Sequence, residues 1–294
     1  MFETLTPAQV WYFGFSALAF AWGACVGSFL NVCIHRIPRE ESVIRPRSHC
    51  PHCGRPIAWY DNIPLWSWLA LRARCRQCRA PIAARYVLVE LLVAVLFLLV
   101  WLKFDLQDGP RLLGLVPIRD WRLVPVYWLM AGGLVLGTFV DFEHLIIPDR
   151  VTLGGIVAGI ALSALAPSLH GAATAREALW ASALGAAAGW FSLWAVAWLG
   201  ALVFRKEAMG FGDVKLLGAI GAFLGWRAVV FTIVVSSLFG SLVGVSLVLS
   251  GRKAMQGKIP YGPYLALAAL IWVLWGPRLV ELYLGLLLPP GLPA

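Results

Sequence analysis

Asp141 and Asp213 stand at the edges of long apolar runs in a chain where 13% of residues are charged, about half the usual share of a soluble domain. An acid beside a membrane helix is costly to keep there, which makes it a functional candidate. Each aspartate has a distinctive frame. Thr138-Phe-Val-Asp141 is followed by Leu145-Ile-Ile-Pro148-Asp149, and Gly210-Phe-Gly leads into Asp213-Val-Lys215. Two carboxylates able to face each other suggest shared-proton chemistry, the kind that activates water for hydrolysis. The bland alternative for Asp213 is a helix cap after a glycine turn. Gly210 and Gly212, lacking side chains, would let a backbone come close.

A second constellation is cysteine-based. Cys50-Pro-His-Cys53 and Cys75-Arg-Gln-Cys78 are separated by 21 residues. Two such knuckles can aim four thiolates at one tetrahedral ion, which points to Zn2+. A site of four cysteines has no open position, so the expected zinc is structural. Two disulfides are the alternative, disfavoured if the loop is in a reducing compartment. Cys25 and Cys33 read as small packing residues.

These residues need elements to hold them. The chain has 294 residues, is 60% hydrophobic and has a mean hydropathy of +0.79. Apolar stretches of about 18 or more residues recur, the mark of a multi-pass membrane protein. The 15 tryptophans suit interfacial belts. Residues 31 to 86 hold ten arginines and no lysine against Glu40, Glu41 and Asp61, or +7 of the total +9. Such a loop is expected to stay cytoplasmic. Helices are then expected over roughly 10–33, 86–104, 123–140, 150–165 and 178–204. The stretch 214–250 is too long for one crossing, so a break is expected near Gly225-Trp-Arg227. A last helix begins near Pro263, ends near Trp275 and leaves an apolar tail. The fold class is therefore all-α, with about eight transmembrane helices and a small zinc-binding loop. The division expected is 1–34 for the first helix, 35–85 for the cytoplasmic cysteine loop and 86–294 for the helical bundle. This count puts Asp141 and Asp213 at one face. Asp149, following a proline, is expected to cap the fourth helix. Glu90 is expected to pair with Arg85 or another loop arginine, and Lys215 either to hold charge at the site or to snorkel. The segment 105–122, with three acids and three arginines, reads as an external loop.

Together these frames resemble the type IV prepilin peptidase family, the leader peptidases of the GxGD class of membrane aspartic proteases. The resemblance runs through Gly27-Ser-Phe-Leu-Asn-Val-Cys-Ile-His-Arg36-Ile-Pro38, the cysteine loop with Trp59-Tyr-Asp-Asn-Ile-Pro64, and Arg85-Tyr-Val-Leu-Val-Glu90. It continues through both aspartate motifs and Ile259-Pro-Tyr-Gly-Pro-Tyr264. It implies that Asp141 and Asp213 are the catalytic pair, and that the substrates are type IV prepilins and type II secretion pseudopilins, cut after a glycine. It also implies N-methylation of the new N-terminus with S-adenosyl-L-methionine, associated in the family with the cysteine loop. The implied location is the bacterial inner membrane, with the active site facing the cytoplasm and the lipid bilayer as its surroundings. No glycine-rich nucleotide fingerprint marks a donor pocket in the sequence.

Two rival classes each fit part of the sequence. An ion-coupled transporter would explain intramembrane acids, yet no inverted repeat is visible and the cysteines would be idle. A membrane-tethered zinc module binding nucleic acid would explain the basic loop but neither aspartate, so no nucleic-acid partner is expected.

Overall fold

A computed structural model describes residues 7–104, 115, 118–205, 209–250 and 260–287. Most of the expected loop 105–122, Lys206, the basic residues Arg252, Lys253 and Lys258, and Ile259 lie outside these. The described elements are helical: α1 (Pro7–Arg36), α2 (Trp66–Ala70), α3 (Ala84–Lys103), α4 (Leu123–His144), α5 (Asp149–Leu165), α6 (Ala175–Phe204), α7 (Phe211–Leu249) and α8 (Gly262–Leu287). Six of them are long and apolar enough to cross a membrane. The chain divides into two compact units, Met1–Leu102 and Lys103–Ala294.

In the first unit α1 and α3 run antiparallel in a fixed register. The Trp101 indole donates to Ser16 Oγ (3.1 Å) and Asn31 Nδ2 donates to the Tyr86 carbonyl (3.0 Å). Between these points two glycines bring the backbones together. A Cβ on Gly23 would lie 2.8 Å from Ala94 Cα, and one on Gly27 would lie 2.7 Å from Glu90 Cα. Small residues four apart permit this approach where apolar burial between helices supplies no drive.

The second unit is built around α7. Its first arm packs against α6 with the same device: Cβ atoms on Gly185 and Gly189 would lie 2.2 Å and 2.3 Å from the carbonyl oxygens of Gly221 and Leu217. It packs alongside α5 in parallel, with Gly155 against Ala219 and Gly159 against Ala222. At Gly225 the backbone leaves helical geometry (φ 78°, ψ 174°). Residues eight apart in a straight helix are about 12 Å apart, yet a Cβ on Gly221 would sit 3.0 Å from Val229 Cγ2. The chain therefore turns back at Gly225. Ser182 Oγ donates to the Ala222 carbonyl (2.7 Å) on one side of this turn. The half-buried His170 ring packs on Gly225 itself, and its Nε2 lies 2.9 Å from Ser163 Oγ. With α7 counted as two arms and the 17-residue α5 included, the apolar segments come to about the eight expected from length.

α1 and α4 run a few residues beyond the expected bounds, and the departures of α6 and α8 have a local cause. α6 starts at Ala175 because Thr174 Oγ1 accepts the Glu177 N–H (3.3 Å) while Glu177 Oε2 accepts the Ala173 N–H (3.1 Å), a reciprocal cap. α8 runs through Pro277 to Leu287, where an apolar tail was expected. In helices of this composition neighbours and local adjustment absorb the missing N–H of a proline.

Candidate active site

Alternation of the helices in the second unit brings the end of α4 and the starts of α5, α7 and α8 to one face. Asp141 lies in the last turn of α4 and is 5% exposed. Just beyond it Leu145 adopts left-handed geometry (φ 54°), and its N–H donates to the Asp141 carbonyl (2.9 Å). A left-handed leucine costs about 1–2 kcal/mol. What it achieves is an abrupt stop that sends Ile146 and Ile147 back across the site. Ile147 is buried and touches three elements. Cβ atoms placed on Gly137, Gly212 and Gly262 would meet it at 3.5, 3.4 and 2.9 Å.

Asp213 sits in the first turn of α7, 8% exposed, with its N–H donating to the Gly210 carbonyl (3.2 Å). The Asp141 carboxylate acts on it electrostatically, so the two acids share one site although they come from different helices. The start of α8 closes the arrangement. The Gly262 N–H donates to the Asp141 carboxylate, and a Cβ there would lie 2.8 Å from Asp141 Oδ2. Only a glycine lets the α8 backbone lie on this carboxylate. Next to it, the Tyr261 hydroxyl is 2.7 Å from Ser236 Oγ and 3.3 Å from Ser237 Oγ, tying the start of α8 to the second arm of α7. Asp141 Oδ2 is buried without a hydrogen-bond partner among the described residues. A buried carboxylate oxygen of this kind carries a proton or faces a water.

Of the glycines expected to admit a substrate, Gly212 packs on Ile147 instead, while Gly210 has Asp213 Oδ2 at 3.6 Å as its neighbour. Asp149 corrects a second expectation. Pro148 is the residue at the cap position of α5, and no side chain caps it. Asp149 lies inside the first turn, where its Oδ1 accepts from Lys215 Nζ at 2.6 Å. That ion pair joins the segment after Asp141 to the turn after Asp213. It also gives Lys215 its role in holding charge at the site, together with its stacking over the Phe211 ring (5.4 Å). Ile147 and Gly262 escaped the sequence reading as site residues. The Tyr-Gly-Pro run around Gly262 was the available signal, since a glycine there follows a tyrosine and precedes a helix.

The four loop cysteines gather as expected. The Sγ atoms of Cys50, Cys53, Cys75 and Cys78 all lie within 4.8 Å of one another, and none is in a disulfide. Cys50 and Cys78 are 3.8 Å apart, the edge of a tetrahedron with zinc–sulfur bonds of about 2.3 Å. The two knuckles repeat one fold. In each, the first cysteine's N–H donates to the carbonyl five residues on (Cys50 to Arg55, 3.0 Å; Cys75 to Ala80, 2.8 Å). Its carbonyl accepts from the residue four on (Gly54, 2.9 Å; Arg79, 3.0 Å), which has positive φ in both. Backbone N–H groups of Cys78 and Gln77 bring the Cys75 thiol down to about 7. Cys78 is favoured as thiolate by the Ala80 amide, but burial and the neighbouring thiols push it up to about 11. Four sulfurs this close cannot all ionise without a cation among them, and a divalent ion removes the conflict. The donor set fits zinc.

Glu90, expected to find an arginine, has its Oε2 accepting the Leu65 N–H at 2.8 Å.

Residues 21–104 match the model of the bacterial peptidase A24 N-terminal domain, and residues 128–245 match that of the type IV leader peptidase family. The chain is 43% identical over 245 residues to a prepilin leader peptidase/N-methyltransferase of Myxococcus xanthus (strain DK1622), covering 83% of this chain and 67% of that one. It is 38% identical to the protein of the same name from Aeromonas hydrophila, over 91% of this chain and 93% of that one. With the Pseudomonas aeruginosa protein of that name it shares 37% identity over 89% and 91% of the two chains. No solved structure matches the chain.

Proposed function

The chain belongs to the type IV leader peptidase family, and from that premise we propose that it is a membrane aspartic endopeptidase acting through Asp141 and Asp213. Its substrates on this reading are type IV prepilins and pseudopilins, cut after the glycine that ends the leader. The observation that carries it is the pairing of two buried carboxylates from separate helices, one with an unpartnered oxygen.

One carboxylate is ionised and takes a proton from water as the oxygen attacks the scissile carbonyl. The other is protonated and donates to the carbonyl oxygen. The tetrahedral intermediate then collapses: the C–N bond breaks, the leaving amine takes up a proton from the pair, and the two acids return to one proton between them. Ile147 and Gly262 keep bulk water from this face, and Gly210 leaves the approach open.

Processing includes N-methylation of the new terminus. S-adenosylmethionine supplies the methyl group: its S–CH3 bond breaks, a C–N bond forms to the free amine, and the amine's proton leaves to solvent. Cys50, Cys53, Cys75 and Cys78 would hold a zinc ion that organises their loop and takes no part in bond making, because four thiolates fill its coordination. On this reading the aspartate face is the cytoplasmic side of the inner membrane, consistent with Arg205 at the end of α6 there under the positive-inside rule.

The test is cleavage of a purified prepilin by the full chain and by its Asp141→Asn and Asp213→Asn variants. Each substitution keeps the shape of the side chain and is expected to slow cleavage at least about a hundredfold, with thermal stability and zinc content unchanged. A variant that cleaves at close to the normal rate would remove that aspartate from the catalytic pair.

A further inference from the structure

α1 and α3 are long and apolar enough to cross a membrane, and the loop between them is tied down along their length. Glu90 is buried six residues into α3, about 9 Å along its axis. Its Oε2 accepts the Leu65 N–H (2.8 Å), and the Ser28 hydroxyl of α1 donates to the same carboxylate. Buried charges are kept where hydrogen bonds satisfy them. This one draws the Pro64-Leu65 segment below the first turn of a spanning helix. Apolar side chains nearby in the loop are uncovered: Trp59 is 80% exposed and Trp66 is 66% exposed. Indoles placed in this way suit the headgroup layer of a bilayer, where one edge is wet and the rest apolar.

Beside this segment is a cavity of about 590 Å³, within the size range of ligand sites. One wall is a stripe of α1, with Cys25, Phe29 and Val32 a turn apart and Arg36 at its end. The stripe is about 16 Å long. Its depth follows from the register with α3. Asn31 bonds the Tyr86 carbonyl, Gly27 meets Glu90 and Gly23 meets Ala94. Phe29 and Cys25 therefore lie at levels between Tyr86 and Ala94, inside the apolar run of α3, and both are exposed. The other wall is the loop, through residues 43–48 and 57–64. Arg36 fixes the first stretch by donating to the Ser42 and Pro46 carbonyls (2.9 and 2.8 Å), and Glu90 fixes the second through Leu65. A cavity with one wall at hydrocarbon depth and the other at headgroup level matches an amphiphile rather than a water-borne ligand.

The loop wall selects the headgroup. The Arg47 side chain lines the cavity and makes no hydrogen bond or ion pair with another described residue. Ser48 and Asn62 add short polar groups on the same wall. Residues 31–86 carry a net +7, which favours a negative partner. We propose that this cavity is a binding site for one anionic phospholipid of the adjoining leaflet. An acyl chain lies along Cys25, Phe29 and Val32, and the phosphate meets the Arg47 guanidinium, a charge-assisted pairing. The lipid joins α1 to both loop stretches and adds to the ties that Arg36 and Glu90 supply. Nothing in this assignment depends on the chemistry at the aspartates.

Native mass spectrometry of the delipidated full chain, titrated with dioleoyl phosphatidylglycerol or dioleoyl phosphatidylcholine, tests it. One phosphatidylglycerol per chain is expected to bind at least about tenfold more tightly than phosphatidylcholine. Arg47→Ala, at an exposed residue, is expected to erase that preference while zinc content and the thermal transition of the lipid-free chain stay unchanged. Val32→Trp fills the apolar wall and is expected to weaken phosphatidylglycerol at least about tenfold with Arg47 still present. In nanodiscs, phosphatidylglycerol carrying a diazirine on its acyl chain is expected to label α1 between residues 25 and 36. Equal binding of the two headgroups, unchanged affinity in both variants, or label spread along the exposed faces of α6 and α7 in place of α1 would mean annular lipid only and overturn the site. Displacement of the bound lipid by inorganic phosphate would assign Arg47 to a water-borne anion and overturn it as well.

Discussion

Asp149 and Lys215 are the residues through which the two aspartate motifs hold each other. Asp149 follows the buried Ile147 by two positions, and Lys215 follows Asp213 by two, so their 2.6 Å ion pair braces both acids at once. Lys215 is 19% exposed and Asp149 is 59% exposed, which keeps the energy of the pair to about 1 kcal/mol or less. Lys215→Met and Asp149→Asn are each expected to lower prepilin cleavage by about three- to fivefold, since about 1.4 kcal/mol corresponds to tenfold. The double variant should be no worse than either single one, because both remove the same contact. Additive losses in that cycle would show that the two residues act separately. The sequence made Asp149 look like a cap because a proline precedes it. Its true partner is 66 residues away, and no local pattern carries that information.

At the scale of the elements, the glycines of α6 and α7 decide where Asp213 sits. Gly185 and Gly221 face each other so closely that a Cβ on Gly221 would lie 2.0 Å from the Gly185 carbonyl oxygen. The clash is with backbone, so no rotamer change relieves it, and the first arm of α7 would have to move away bodily. Gly221→Val is expected to destabilise the protein by about 1–3 kcal/mol and to reduce cleavage through displacement of Asp213. Gly14→Ala, at a position with nothing within 4 Å, should leave both thermal stability and cleavage as they are. Equal behaviour of the two variants would refute the close-packing argument. The small-residue spacing of these glycines was visible in the sequence, as was the turn at Gly225, because a 39-residue helix exceeds one bilayer crossing. The Gly23 and Gly27 contact of α1 with α3 is not legible in the sequence, since such spacing is common in apolar helices and becomes meaningful only when its partner backbone is known.

At the scale of the whole molecule, the two compact units separate what the sequence could announce from what it could not. The acids and the cysteines announce themselves because each belongs to a short contiguous motif. No such motif marks how the cysteine loop is held, since Arg36 of α1 and Glu90 of α3 bind its backbone from outside it. The same separation governs what metal removal should do. The aspartate pair, Ile147 and Gly262 all belong to the second unit, while the four loop cysteines belong to the first. The α1–α3 register rests on glycine contacts and side-chain bonds that need no metal. The loop stretches 43–48 and 57–64, in contrast, flank the knuckle at Cys50 and Cys53 and lose their anchor when four thiolates lose their cation. Zinc is bound by thiolates, so protons compete with it as the pH falls. Chelation is therefore expected to go faster in mild acid than at neutral pH. Chelator treatment of the full chain should therefore release about one zinc per chain and slow methyl transfer at least about tenfold, while prepilin cleavage stays within about threefold of its starting rate. Metal analysis, methyl-label transfer and a cleavage assay on one preparation read all three. Cleavage that dies in step with zinc release would mean that the metal supports the aspartate site as well, and the assignment of one activity to each unit would fall.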